Sequence, residues 1–390
     1  MVYDENDINK AWGWLTGIRP AKLMSKILTE GYEGADALAR MRELYEVSEE
    51  RAEICLAVAK AGAKVTINTN DAAVYIGIPF CPSRCSYCSF VSSWVGKTGK
   101  LMEPFLETLE YELEQTARTI KTLNLNIIAV YIGGGTPTAL TLPLFRRMLE
   151  AVKHHIPFES VREYTVEAGR PDTITAENTA AMLEHGVDRI SVNPQSMNAE
   201  TLARIGREHS VEDVCKAFKL ARQFKSVNMD VIAGLPGETA GDFEYSLSRV
   251  MALQPENITV HTLSRKKGSD LSGAAEVSSE YVTVMIEYSL EALAQAGYSP
   301  YYLYRQKFMA GDFENIGWSK SGHDGLYNII MMDEKASVLA LGGGGVTRLV
   351  NQRTNFIDRA YNVKYPSEYI YSQEKIDRNQ QIVIKFYENA

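Results

Sequence analysis

Three cysteines fall within eight residues: Cys81, Cys85 and Cys88 in GIPFCPSRCSYCSF. Thiolates this close in sequence can ligate one metal centre. A structural zinc takes four ligands, usually as paired C-x2-C knuckles or mixed Cys/His sets. Here there is no second pair, and the next histidine is His154. A four-iron cluster held wholly by protein takes four cysteines. Three would leave one iron open, as required if that iron is to hold a substrate or cofactor. Zinc and three unrelated core thiols are the alternatives at this level. Cys55 and Cys215 stand in apolar helical contexts and read as small buried hydrophobes rather than further ligands.

Such a loop needs a rigid frame. Residues 1 to 70 carry apolar residues at helical spacing, punctuated by Gly and Pro. Six β-branched runs follow, at 74–78, 127–132, 162–168, 189–193, 227–233 and 258–263. The stretches between them, 101–122, 141–154, 176–185, 199–224 and 240–252, are helical in character, with a break expected near Gly206. Repeated βα units imply a parallel sheet. Six are too few for a closed eight-stranded barrel but enough for an open, curved version; a doubly wound sheet is the alternative. In both, ligands gather at the carboxyl ends of the strands. A helix at 278–296, a strand-like YYLYRQ at 301–306 and LALGGGGV at 339–346 make an appended α+β region. The expected divisions are 1–70 (helical), 71–270 (core) and 271–390 (α+β).

The 390 residues carry 41 Lys+Arg against 49 Asp+Glu, a net charge of −8, which argues against a broad nucleic-acid-binding face. No apolar run approaches the roughly 18 residues that span a bilayer. The opening MVYDENDINK lacks the features of a secretory signal, so a cytoplasmic location is expected.

Two further features sit at strand ends. Gly133-Gly134-Gly135-Thr136-Pro137-Thr138 follows the second strand. Its glycines allow close backbone approach to a ligand or simply a tight βα turn, and neither G-x-G-x-x-G nor a Walker lysine is present. Glu167 and Asp230 lie inside apolar β-runs, where a carboxylate without a partner is costly.

C-x3-C-x2-C with an aromatic residue, Tyr87, before the third cysteine resembles the signature of the radical S-adenosylmethionine (SAM) superfamily. The resemblance implies a partial (β/α)6 TIM-like barrel and one [4Fe–4S] cluster on Cys81, Cys85 and Cys88. One or two molecules of SAM would bind, the first chelating the open iron, and its reductive cleavage would yield a 5′-deoxyadenosyl radical. By the same resemblance Gly133, Gly134, Gly135 and Thr136 approach the amino group of SAM, and Glu167 orients its amino acid end. Arg207 pairs with its carboxylate, Gln195 and Asp230 bind its ribose, and Ala233 and Gly234 let the adenine lie close.

The blocks YIGGGTPT, REYTVEAGRPDTI, DRISVNPQS, NMDVIAGLPGE, ITVHTLSRKKGS and YYLYRQK narrow the resemblance to the HemZ-like, coproporphyrinogen-dehydrogenase branch of the oxygen-independent coproporphyrinogen III oxidase group. This implies oxidative decarboxylation of two propionates of coproporphyrinogen III to vinyl groups, giving protoporphyrinogen IX, with an electron donor such as flavodoxin or ferredoxin. A haem-binding chaperone of the HemW kind, or an enzyme modifying another tetrapyrrole, is the alternative. Family members usually carry a longer region ahead of GWLTGIRP. A tetra-anionic substrate requires local cations: Arg19, Arg265, Lys266, Lys267, Arg305 and Lys307 are candidates, with His261 at the end of the sixth strand. Arg305, beside Tyr301, Tyr302 and Tyr304, is the residue expected at a propionate. His209 is expected either at a helix start or as a donor behind the site, and His323 in a loop of the appended region.

Overall fold

All six β-runs are strands: β1 (Asp71–Ile78), β2 (Asn126–Gly134), β3 (Glu163–Gly169), β4 (Arg189–Val192), β5 (Ser226–Ala233) and β6 (Asn257–Thr262). The computed structural model describes residues 11–15, 19–88, 93–264, 278–306 and 309–389. Parallel strands covered on both faces read as continuous apolar runs rather than alternating ones. β1, β3 and β6 follow that rule with one half-exposed residue each, Tyr75, Glu167 and His261. Of these, Glu167 and His261 stand out in sequence as polar positions in apolar runs, and Tyr75 does not.

The chain forms two units. The cysteine-loop unit comprises Ile67–Pro194, Gly206–Asn228 and Glu334–Ala390. Within it β1 to β4 and the start of β5 run parallel in that order. Three later strands join the β1 side: β9 (Ser337–Gly342) pairs parallel with β1, and β10 (Val346–Val350) and β11 (Ile357–Tyr361) continue antiparallel. Gly342, at the start of the glycine run 342–345, has φ +81 and faces Gly77, where a Cβ would collide with the Gly77 carbonyl. Buried Glu112 pins this turn, accepting from Gly342 N (2.8 Å), Asn362 Nδ2 (2.7 Å) and Tyr369 Oη.

The expected break in 199–224 is present, between helices Ala199–Arg204 and Val211–Ala221. Gly206 supplies the left-handed residue that ends the first (φ +73). A capping box of Ser210 and Asp213 starts the second.

The N-terminal unit comprises Met1–Thr66, Gln195–Ile205 and Met229–Asp333. Its helices Pro20–Thr29, Gly34–Tyr45 and Glu49–Ala63 precede the strands, and β8 (Asn315–Ser319) pairs antiparallel with both β6 and β7 (Ser299–Tyr304). Arg51, fully buried, bonds Glu314 (3.0 Å) and Glu287 (2.8 Å), and Glu314 also accepts from the Trp12 indole. Burying a guanidinium without such partners would be costly. Among the described residues no helix is long and apolar enough to cross a membrane.

Candidate functional site

The cysteine loop leaves β1 through Pro79 and Phe80. Cys85 is buried, and Cys81 and Cys88 are half-buried. Among the described residues no three His, Cys, Asp or Glu side chains converge as the ligands of a single ion would. A four-iron cluster makes a different demand, since each thiolate takes its own iron at a separate corner. Three thiols at one strand end, one buried and two half-open, fit that donor set.

The glycine run is stitched to this loop. Gly135 N donates to Ile78 O (2.8 Å) and Thr136 N to Phe80 O (2.7 Å), while Thr136 Oγ1 lies 3.5 Å from Cys81 Sγ. A Cβ on Gly135 would stand 2.6 Å from the Phe80 carbonyl, and one on Gly133 would stand 2.5 Å from Glu167 Oε2. At Gly135 the clash is with backbone and excludes a larger residue, whereas at Gly133 the Glu167 and Tyr131 side chains would have to move. The absent side chains make room for β1 on one side and for the Glu167 carboxylate on the other.

Arg207 is 8% exposed and reaches the same loop. Its Nη2 donates to Tyr87 Oη (2.8 Å), and Nη1 donates to the carbonyls of Asn193 (3.2 Å) and Gly169 (3.5 Å). Its Nε is buried and has no partner. Burial, with the neighbouring Cys85 and Cys88 opposing loss of the proton, drives the Tyr87 phenol far above its usual range, so it stays neutral and accepts from Arg207. Cys81, Cys85, Cys88, Tyr87, Gly133, Gly134, Gly135, Thr136, Glu167 and Arg207 all belong to the cysteine-loop unit.

The remaining candidates belong to the N-terminal unit. Gln195 has φ +67, unusual for a residue with a Cβ, and is 7% exposed. Its backbone is held by Asp230 O (from Gln195 N, 2.9 Å) and Ile232 N (to Gln195 O, 3.0 Å), and its side-chain Oε1 is buried without a partner. Asp230 is half-buried, with His261 Nε2 3.5 Å from its Oδ2, and His261 Nδ1 lies 3.3 Å from Asn315 Oδ1. Two residues expected in separate roles are thus neighbours. Ala233 is fully buried, and the space beside Gly234 (φ +83) is taken by Val282 and Ala310.

The cationic strand departs from expectation. Arg305 donates Nη1 to the Leu15 carbonyl and Nη2 to that of Asp312 (2.9 Å), and its guanidinium lies over the Trp12 ring. The two nitrogens that a bidentate clamp needs are committed inside the fold. Tyr301 and Tyr302 pack with Ala61 and Ile329 as core rather than lining a ligand surface. Arg19 is half-buried at the start of the first helix. Arg265, Lys266, Lys267 and Lys307 lie outside the described residues. His323 gives its carbonyl to Asn257 Nδ2 (2.9 Å). Cys55 is buried as expected, whereas Cys215 is only half-buried.

Three residues escape a reading by type and spacing. Tyr75 and Tyr131 pair across β1 and β2 with rings stacked 6.2 Å apart, and both are half-open in otherwise buried stretches. An aromatic in a β-run looks like core, so only strand register reveals them. Arg170, buried one residue beyond β3, bonds both Asp172 and Cys85. Its signal was an arginine next to Pro-Asp at a strand's carboxyl end.

An open parallel sheet with a three-cysteine loop at the end of β1 defines a class. Residues 75–250 match the radical SAM superfamily. The chain is 37% identical to the oxygen-independent coproporphyrinogen-III oxidase-like protein HemZ of Bacillus subtilis (strain 168) over 402 aligned positions, covering 99% of this chain and 80% of that protein. It is 33% identical over 192 residues to the haem chaperone HemW of the same organism, covering 48% of this chain and 49% of HemW. Among solved structures, the coproporphyrinogen III oxidase HemN of Escherichia coli superposes with a TM-score of 0.63 at 20% identity, covering 83% of this chain and 73% of that one, a likeness of fold. The chain belongs to the radical SAM superfamily and, within it, to the family of the HemZ-type oxygen-independent coproporphyrinogen-III oxidase-like proteins. Membership implies a [4Fe–4S] cluster and SAM as cofactors.

Proposed function

We propose that the protein is an oxygen-independent coproporphyrinogen III dehydrogenase, converting two propionates of coproporphyrinogen III to vinyl groups to give protoporphyrinogen IX. The observation that carries this reading is the HemZ likeness, 37% identity over 99% of the chain, against 33% over 48% for B. subtilis HemW and 28% over 78% for the HemW of Haemophilus influenzae. It reaches well beyond the cysteine loop, into the segments expected to select a substrate. With the cluster on Cys81, Cys85 and Cys88, bound SAM would supply a 5′-deoxyadenosyl radical when an electron is delivered.

The chain's own residues then have definable tasks. Glu167 would accept the ammonium of the amino acid end, in the space that Gly133 leaves beside its carboxylate. Arg207 would offer its unpartnered Nε to the carboxylate, its other nitrogens held by Tyr87 and two carbonyls. Within the N-terminal unit, Gln195 Oε1 and the Asp230 carboxylate are the groups proposed for ribose hydroxyls, with His261 Nε2 3.5 Å from Asp230 Oδ2. Within the cysteine-loop unit, Glu167 and Arg207 together would position the sulfonium. For the propionates the proposal retains Arg19 and the basic stretch Arg265–Lys267. Arg305 is withdrawn from that role. A flavodoxin- or ferredoxin-type donor and a cytoplasmic location complete the reading.

The second reading, a haem chaperone, draws on the HemW relatives. The deciding experiment is an anaerobic assay with coproporphyrinogen III, SAM and dithionite, followed by mass analysis. Loss of one and then two CO2 units supports the dehydrogenase. Stoichiometric haem binding, with no vinyl product while SAM is cleaved, overturns it in favour of the chaperone.

A further inference from the structure

One buried cation of the cysteine-loop unit has no task in this scheme. Arg170 is 3% exposed, yet its charge is not simply neutralised and packed away. One edge of its guanidinium forms a two-point fork with Asp172, Nε to Oδ1 at 3.0 Å and Nη2 to Oδ2 at 3.2 Å. The remaining nitrogen, Nη1, points into the cysteine loop, donating to Ser83 Oγ (3.0 Å) and to Cys85 Sγ (3.5 Å). Buried His209 stands behind the fork, its Nδ1 3.8 Å from Asp172 Oδ1.

The local chain explains why the guanidinium is aimed this way. Pro171 begins a short 3-10 turn directly after Arg170, which brings Asp172 round to face the arginine side chain. The Thr173 hydroxyl donates to the Arg170 carbonyl (2.9 Å) and closes the turn. A fork held at two points cannot swing, so the direction of Nη1 is set by Asp172 rather than by the loop it touches. A surface ion pair would need none of this.

We propose that Arg170 is a positioning residue of the cluster site: anchored by Asp172, it donates a hydrogen bond to Sγ of Cys85 and so raises the reduction potential of the cluster that this thiolate ligates. The inference rests on the assignment of Cys85 as a cluster ligand. Reduction adds one negative charge to the cluster. A hydrogen bond to a ligand sulfur, and a fixed positive charge beside it, stabilise the reduced state more than the oxidised one. The effect eases the first electron transfer, without which SAM is not cleaved.

The test uses the anaerobically reconstituted full-length protein, titrated with dithionite and mediator dyes and read by the electron paramagnetic resonance signal of the reduced cluster. Arg170→Met should retain about four irons. At a fixed poise its ratio of reduced to oxidised cluster should fall about tenfold, equivalent to a midpoint about 59 mV more negative for a one-electron couple. Arg170→Lys keeps the charge but loses the fork, and should shift in the same direction by less. An unchanged midpoint in Arg170→Met overturns the proposal. If Arg170→Met fails to hold iron, Arg170→Lys decides: a more negative midpoint supports the proposal, and the parent's value overturns it. Cys85→Ala separates the two levels of inference, because a full cluster in that variant would refute the ligand assignment itself.

Discussion

Arg207 and Arg305 carry the same expected task and sit in different surroundings. Each is an arginine expected to hold a carboxylate, Arg207 from its place in LARIGREHS and Arg305 from the tyrosines beside it in YYLYRQK. Arg207 reaches the loop of the three thiols, with Tyr87 as its side-chain partner and the carbonyls of Asn193 and Gly169 behind it. Arg305 lies where composition alone gave the hint. Its tyrosines are core, and its guanidinium ties Leu15, Trp12 and Asp312 together. The lesson is about warrant. A spacing that only one chemistry requires survives folding, while an aromatic and cationic composition serves packing as readily as binding.

The largest effect expected from this contrast is at the thiols. Replacing Cys81, Cys85 or Cys88 with alanine should abolish iron binding on reconstitution, while Cys55→Ala and Cys215→Ala should leave it intact. Iron and sulfide analysis of the five variants would show it, and a variant of the loop with full iron content would break the ligand set. Next come Glu167→Gln and Arg207→Ala. On the proposed roles each would lose a charge-assisted contact that positions the sulfonium, so 5′-deoxyadenosine formation should slow on the order of a hundredfold with the cluster retained. Parent rates and parent SAM affinity in both would remove the roles given to them.

Arg305 should behave oppositely. Arg305→Ala leaves the carbonyls of Leu15 and Asp312 without their donor and should cost about 1–3 kcal/mol of stability, read as a lowered unfolding midpoint in urea. Unchanged stability combined with a raised KM for the tetrapyrrole would restore the propionate clamp and erase the contrast.

The smallest effect concerns pH. Burial pushes the carboxyl groups of Glu112 and Glu238 up to about 7 from an ordinary 4.5. Between those values the folded chain holds protons on these groups that the unfolded chain releases, so their contribution to stability is fully present below about 4.5 and is lost as pH rises through about 7. Glu112→Gln should flatten that decline by on the order of 2 kcal/mol across the window. Thermal unfolding by circular dichroism from pH 5 to 8 gives the slope, and an unchanged slope would mean that Glu112 is not the titrating group.

Much of the frame was legible because buried parallel strands are apolar along their whole length. The six runs and the helices between them needed only periodicity. What escaped depends on register and on distant pairing. β9 lies beside β1 because Gly342 fits against Gly77, and nothing local in LALGGGGV announces that neighbour. Gln195 and Asp230 were separately visible, yet their backbone pairing through β5 was not. The contact from Arg170 to Cys85 joins residues 85 positions apart and needs the turn made by Pro171 and Asp172 to exist at all.

The central claim is that the cysteine-loop unit builds a radical SAM site, with Glu167 and Arg207 gripping the cofactor. The most direct measurement is the electron paramagnetic resonance spectrum of the dithionite-reduced, reconstituted protein before and after addition of SAM. The account predicts a single reduced [4Fe–4S] signal that changes on adding SAM in the parent. In Glu167→Gln and Arg207→Ala the signal should be present but respond only at much higher SAM concentrations. A parent signal indifferent to SAM, or a preparation that takes up one zinc per chain and no iron, would contradict it.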